Sequence, residues 1–508
     1  MLNCRSAPKS QLITAIACLI LTTPLACATP VFATPPAPAR IVEQIPGTDI
    51  VVRPESDRYL DLLVMGIDAP DNAYFLLPDL RQVEDALGED GERILKALYL
   101  LDLELSRGRL FHVLPEYTEL YIGIPSSDEN SAVSQRARKW FKEYLLERAG
   151  WSEARIASRI FFFSSSDSIF WARDISKIIG FDSQGRAILG TAADQSSGQL
   201  RALEALQEKY PNKFIIRKYA PAIPDINPNV SVEGGDLELV VAPSGRVELL
   251  VGRHRALRYI HPEGTEPTES EYTLSEKDIE LARTAYSQSF FNLPVTFVPE
   301  EVLKNPSKGS PELFHLDMVM TILPSPQKGA PRAFVPTYLF NPVDAYEATP
   351  LTFEFVENVQ SEYDRVAAQL TNRGYEVYRL PYADHPVRSP VNVGKYLDRH
   401  TGKHTVLMSK YPYHLPLDGQ DNPQREFTKL YREINDIGNA FKETHSKKTA
   451  QQLLARLEGS WKKLDALAER PNPLFELNHA LLERLGYDVK VIPDYTHGAG
   501  GIHCKILQ

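Results

Sequence analysis

Apolar and polar positions follow two periods along this chain, and the points where the period changes mark its expected elements. LDLLVMGID (60–68) has the short apolar run of a strand, and from Leu80 to Leu105 the apolar residues are spaced as one face of a helix. From about residue 115 a rhythm sets in: TELYIGIP reads as a strand, residues 131–149 as a helix, and RIFFFSSSDSIFWARD as a strand running into a polar loop. FVENVQSEYDRVAAQLTNRGYEVYRLP and LFELNHALLERLGYDVKVIP repeat the theme, each a helix closed by glycine and followed by an alternating strand. A repeated αβ unit predicts an α/β fold whose modules either surround a common centre or line up in a doubly wound sheet. Periodicity does not choose between them.

Residues 418–470 depart from the rhythm as a polar helical insertion, with Leu453, Leu454, Leu457, Trp461, Leu464 and Leu467 on one face. That stripe predicts packing against core more readily than a lid over a substrate. Residues 41–112 read as an N-terminal extension whose function is not legible.

Ahead of the extension, Arg5 and Lys9 precede an apolar run and small-residue cleavage sites at Ala26-Cys27-Ala28 or Val31-Phe32-Ala33, the pattern of an export signal over 1–33. A membrane anchor and a lipidated cysteine are the competing readings, weakened by Pro24 inside a short run and by the lack of a clean lipobox at Cys18 and Cys27. TPPAPAR (34–40) reads as an extended linker, and the mature protein is expected outside the cytoplasm and off the membrane. Loss of the signal removes three of the four cysteines and leaves Cys504 alone, either a reactive thiol or an inert buried one. It also takes the formal charge from −10 to −12, since Arg5 and Lys9 are its only charged residues. An acidic surface argues against nucleic acid as a partner and suits a cationic ligand.

Four loops at expected strand ends carry polar groups that core packing would not select. WARD places Asp174 after an aromatic strand, VEGGD places Glu233 and Asp236 around two glycines, FHLD places His315 and Asp317 two apart, and GGIHC places Cys504 after a glycine turn. Residues i and i+2 of a strand share a face, so His315 and Asp317 can enter one cavity. Singly, WARD is better explained by a surface salt bridge, EGGD by a turn and HxD by a structural pair. Together, and in this order, they resemble the guanidino-group-modifying superfamily, which includes arginine, agmatine and peptidylarginine deiminases, dimethylarginine hydrolase and the amidinotransferases. WARD resembles the Trp-x-Arg-Asp element of agmatine deiminases, EGGD the Glu-Gly-Gly element, HLD the His-x-Asp element and GAGGIHC the Gly-Gly-x-x-His-Cys ending.

The resemblance covers roughly residues 115–508 and implies a pseudo-fivefold α/β propeller with its catalytic domain over 113–508. It implies that Asp174 and Asp317 grip the guanidinium, that Glu233 orients His315, that His315 moves protons and that Cys504 attacks the central carbon. Trp171, Asp236 and Arg255 are further substrate-contact candidates. Arg255 lies in VGRHRALRY with Arg253 and Arg258, none of which aligns cleanly with the carboxylate-binding arginine of arginine deiminases, which counts against free arginine as substrate. The expected reaction is hydrolysis of a guanidine C–N bond to a ureido product and ammonia, without cofactor or metal. Amidino transfer to an amine and guanidine binding without turnover are the alternatives. A papain-like hydrolase is disfavoured because its cysteine precedes its histidine. A metal site of His315, Asp317, His503 and Cys504 lacks the C-x-x-C or H-E-x-x-H spacing.

Overall fold

The computed structural model describes residues 43–66, 87–126, 128–165, 176–191, 198–218, 234–253, 275–299, 315–339, 353–383, 388–411, 423–444, 446–495, 503 and 508. All lie in one unit, residues 40–508.

Their strands form five separate sheets, so a single doubly wound sheet is not the architecture. Sheet I contains β3 (Leu62–Gly66), β4 (Glu119–Pro125) and β5 (Ile160–Ser165), all parallel. Sheet II runs β1 (Glu43–Gln44), β2 (Val51–Val52), β6 (Lys177–Phe181), β7 (Ala187–Thr191), β8 (Phe214–Lys218). Sheet III contains β9 (Leu237–Val241), β10 (Val247–Gly252) and β11 (Val295–Val298); sheet IV contains β12 (Thr321–Leu323), β13 (Arg332–Tyr338) and β14 (Glu376–Tyr382). Sheet V contains β15 (Gly394–Leu397), β16 (His404–Lys410) and β17 (Asp488–Pro493). Sheets II to V share one topology: an antiparallel pair, then a helical crossover to a third strand parallel to the second. A parallel partner requires such a crossover, whereas a hairpin joins the antiparallel pair.

The described helices are α1 (Glu89–Arg107), α2 (Leu110–Val113), α3 (Ala132–Glu147), α4 (Glu153–Arg159), α5 (Gly198–Lys209), α6 (Glu276–Ser289), α7 (Phe353–Asn372), α8 (Pro423–Lys442), α9 (Lys447–Ala468) and α10 (Pro473–Arg484). The expected strand at 60–68 and helix at 131–149 correspond to β3 and α3. The two repeated glycines end their helices in the same way. Gly374 (φ +93°) and Gly486 (φ +95°) occupy the left-handed region, and the amides of Tyr375 and Tyr487 reach back to Leu370 O (3.0 Å) and Leu482 O (3.2 Å), a Schellman closure in each case. Gly374 packs on Pro243 of sheet III's hairpin, and Gly486 on Pro326 of sheet IV's. The sequence repeat is thus also a packing repeat, displaced by one sheet.

Alternation along the middle strands divides the side chains between two cores. Leu249 and Val251 enter a core shared with sheet II, while Leu250 faces sheet IV. Phe334 joins a core with sheet V, and Ala333 and Val335 one with sheet III. Tyr121 packs with sheet II, while Leu120 and Ile122 share a core with Leu407 and Ile492 of sheet V. Each of the five cores therefore lies between consecutive sheets, and the fifth sheet shares one with the first.

The hydrogen bonding crosses the expected boundary at residue 112/113, because β3 pairs with β4 and β2 pairs with β6. The α8–α9 hairpin within 418–470 also joins a core. Leu453, Leu457, Leu464 and Leu467 are buried with Ile94, Leu98 and Leu101 of α1, and Leu454 and Trp461 pack partly buried against them. Charges lock this contact: buried Glu104 accepts from Arg109 Nε at 2.8 Å, and Arg148 donates to Asp465 at 2.9 Å while its guanidinium lies 4.4 Å over Trp461. The stripe is core packing, as its spacing indicated.

Candidate functional site

Charged residues at the starts of otherwise apolar strands meet in the interior. Lys177 opens KIIGF of β6, Glu238 is the second residue of LELVV in β9, Thr321 opens β12 and Lys395 is the second residue of β15. Glu55 arrives from the short 3-10 turn Glu55–Asp57 ahead of β3. Glu55, Lys177, Glu238 and Lys395 are each only 1% exposed. Burying one such charge alone would cost several kcal/mol, so their pairing is obligatory. Lys177 contacts both Glu55 and the carbonyl of Leu237, while Lys395 Nζ lies 2.7 Å from Glu238 Oε2 and 3.2 Å from Thr321 Oγ1. Four sheets and the turn ahead of β3 thus place one polar group each in a common cluster.

His503 completes it. Its Nδ1 lies 2.9 Å from Asp317 Oδ2 and its Nε2 lies 3.0 Å from Glu55 Oε2, with Glu238 Oε1 at 3.8 Å. The imidazole is thus held on both sides, each ring nitrogen against one carboxyl group. Among the described residues, the carboxyl groups of Glu55, Glu238 and Asp317 meet the ammonium groups of Lys177 and Lys395 and the ring of His503. Burial and neighbouring Glu55 work against ionised Glu238, but Lys395, Lys177 and His503 outweigh them and hold its carboxyl below the usual glutamate range. Oxygens of Glu55 and Glu238 and a nitrogen of His503 come within 4.8 Å of one another, close enough to ligate an ion. The two ammonium groups already on those carboxylates make the donor set fit an ion-pair cluster, since a divalent cation would have to displace them.

Beside this cluster, two of the expected motifs come together. His315 precedes the 3-10 turn Leu316–Met318, and Asp236 ends the turn Gly234–Asp236. Asp236 Oδ1 accepts from the Leu316 amide at 3.2 Å, which ties the two turns together. Gly235 lies against the His315 ring, and a Cβ there would stand 2.5 Å from Nδ1, where no side chain fits. Asp236 is thus the clasp between the motifs. Asp317, expected to grip a guanidinium, also holds His503. Trp171, Asp174, Glu233, Arg255 and Cys504 lie outside the described residues.

A direct test of the glycine contact is Gly235→Ala. The added methyl must turn the His315 ring aside; under the expected proton-moving role of His315 on a guanidine, kcat should fall about tenfold to a hundredfold, the scale of a 1 Å misplacement, with little change in KM. Steady-state kinetics with a guanidine substrate would check this; unchanged kcat would show that the ring position does not matter.

Sequence reasoning missed Glu55, Lys177, Glu238 and Lys395. The available signal was a charge inside a short apolar strand, as in KIIGF and LELVV; Glu55 gave none, since it lies in the segment read as an extension. A cavity of about 620 Å³ elsewhere is lined by Arg253, Arg283, Arg373, Glu280 and Thr296 among others, and includes none of the expected site residues.

No family profile matches this chain, and no curated protein matches it. Among solved structures it is similar to the crystal structure of the "Putative Arginine Deiminase" of Porphyromonas gingivalis, with 12% identity, 90% of this chain and 96% of that chain covered, and a TM-score of 0.40. A likeness that loose does not place the chain in a family. No described helix is long and apolar enough to cross a membrane.

Proposed function

We propose that this protein is a deiminase-type hydrolase that cleaves a guanidine C–N bond through a covalent intermediate on Cys504, and that its five sheets are the blades of a pseudo-fivefold propeller. The cyclic sharing of cores, sheet V with sheet I included, supports the propeller. One observation carries the chemistry: three of the four motifs converge, with EGGD held to HLD through Asp236 and Gly235, and HLD bonded through Asp317 to His503, the residue before Cys504.

The reaction follows from those groups. Asp174 and Asp317 hold the planar cation by charge-assisted hydrogen bonds, and the Cys504 thiolate adds to its central carbon. His315 gives a proton to one terminal nitrogen, that C–N bond breaks, and ammonia leaves an S-alkylthiouronium on the cysteine. The same imidazole takes a proton from water, which adds to the carbon. Collapse of the adduct breaks the C–S bond, releasing the ureido product and the thiolate. The substrate class is agmatine or arginine within a peptide.

Incubation with arginine, agmatine, methylated arginine and an arginine peptide, reading ammonia and ureido product, tests the activity directly. Within that assay Asp174→Asn keeps size and removes charge. It should lower kcat/KM tenfold to a hundredfold, corresponding to about 1.5–3 kcal/mol for a hydrogen bond to a charged group. Undiminished activity of Asp174→Asn on every guanidine would remove WARD from the site.

A further inference from the structure

The buried charge cluster holds His503, the residue before Cys504. We infer that His503 is a positioning residue for Cys504: clamped between Asp317 and Glu55, its ring fixes the start of the peptide that carries the nucleophile. The inference rests on the proposed covalent role of Cys504 and adds what holds that thiol in register with its substrate.

Three anchors from three parts of the fold act on His503. Its ring bonds Asp317 of the turn before β12 and Glu55 of the turn before β3, and its backbone amide donates to Asn392 Oδ1, ahead of β15, at 3.1 Å. Beyond Cys504, Gln508 is anchored too: its side-chain amide donates to Lys395 O at 3.0 Å, and its carbonyl accepts from Arg58 at 3.3 Å. The residue carrying the thiol is therefore one of four between two tethered positions. Asp317 makes the arrangement specific, because the carboxylate assigned to the guanidinium also holds the residue adjoining the nucleophile. Attack requires the two reacting atoms in register, and a 1 Å error costs about a hundredfold. A merely structural interior does not need this device, since buried ion clusters are commonly replaceable by apolar side chains without loss of stability.

The experiment uses the full chain with His503→Gln and, separately, Glu55→Gln, which keeps the shape at Glu55 but removes the charge facing His503. Three quantities are read: the pH profile of Cys504 alkylation by iodoacetamide, located by peptide mass spectrometry; kcat and KM on the guanidine turned over by the wild type; and the melting temperature. We expect kcat to fall about tenfold to a hundredfold with KM within about threefold. The pH of half-maximal alkylation should also depart from the wild-type value in both variants, because the residue before the thiol is no longer held on both sides. Wild-type alkylation profile and kcat in either folded variant would overturn the inference, even if its melting temperature fell. If the wild type turns over no guanidine, the proposed function fails, while the alkylation profile still decides the role of His503.

Discussion

Replacing Cys504 with serine should reduce turnover of every guanidine by more than about a thousandfold, the scale seen when a covalent nucleophile is removed. A thiol ionises within reach of physiological pH and is a strong nucleophile once ionised; an alcohol needs a base placed on its own proton. In the proposed reaction His315 serves the leaving nitrogen and then water, which leaves the nucleophile no base of its own. The check is ammonia release at enzyme concentrations high enough to detect a single turnover, paired with labelling by a haloacetamidine. The wild type should be alkylated at Cys504 and protected by its guanidine substrate, and the variant should not be labelled there. A serine variant retaining a tenth of the activity would mean that the thiol is not the attacking group.

The second large effect concerns stability. Lys395→Met leaves Glu238 buried without its 2.7 Å partner, and stripping one side from a buried pair costs about 3–5 kcal/mol. Urea unfolding of the variant should show a correspondingly earlier midpoint. Replacing both residues, Lys395→Met with Glu238→Leu, should recover most of the loss, because no orphaned charge remains. A single variant within about 1 kcal/mol of wild type would show that water or rearrangement compensates Glu238, and that the Lys395–Glu238 pair is not what satisfies it.

Much of the local structure was legible. The helix–glycine–strand repeat at Gly374 and Gly486 was readable because glycine is the residue that adopts the left-handed closure cheaply, and the stripe from Leu453 to Leu467 was readable from its period. Periodicity says which face of an element is buried but not what buries it. Nothing near Leu457 in sequence points to Leu98, and nothing near Leu407 points to Leu120. The cyclic order of the cores was therefore invisible, and so was the place of residues 43–66 in sheets I and II. At the site, the motifs announced His315, Asp317 and Asp236 through short spacing within loops. The cluster behind them is assembled from single charges on three sheets, Thr321 of a fourth and Glu55 of a turn, and each reads alone as an ordinary polar residue.

The core shared by the first and last sheets has a consequence for how the chain reaches its native state. Arg58 bonds Gln508 across 450 residues, and β3 and β17 contribute to neighbouring sheets. Closing so long a loop costs roughly 5 kcal/mol of chain entropy beyond a constant term, which is recovered only when the final strand docks. Until then, Leu63, Leu120 and Ile122 lack the side chains of sheet V that cover them. A nascent chain still on the ribosome, at several residues per second, would carry that apolar face for the better part of a minute. Such high contact order makes folding slow and leaves the unfinished chain prone to self-association, so it is during synthesis, before Cys504 is added, that this protein most needs a chaperone.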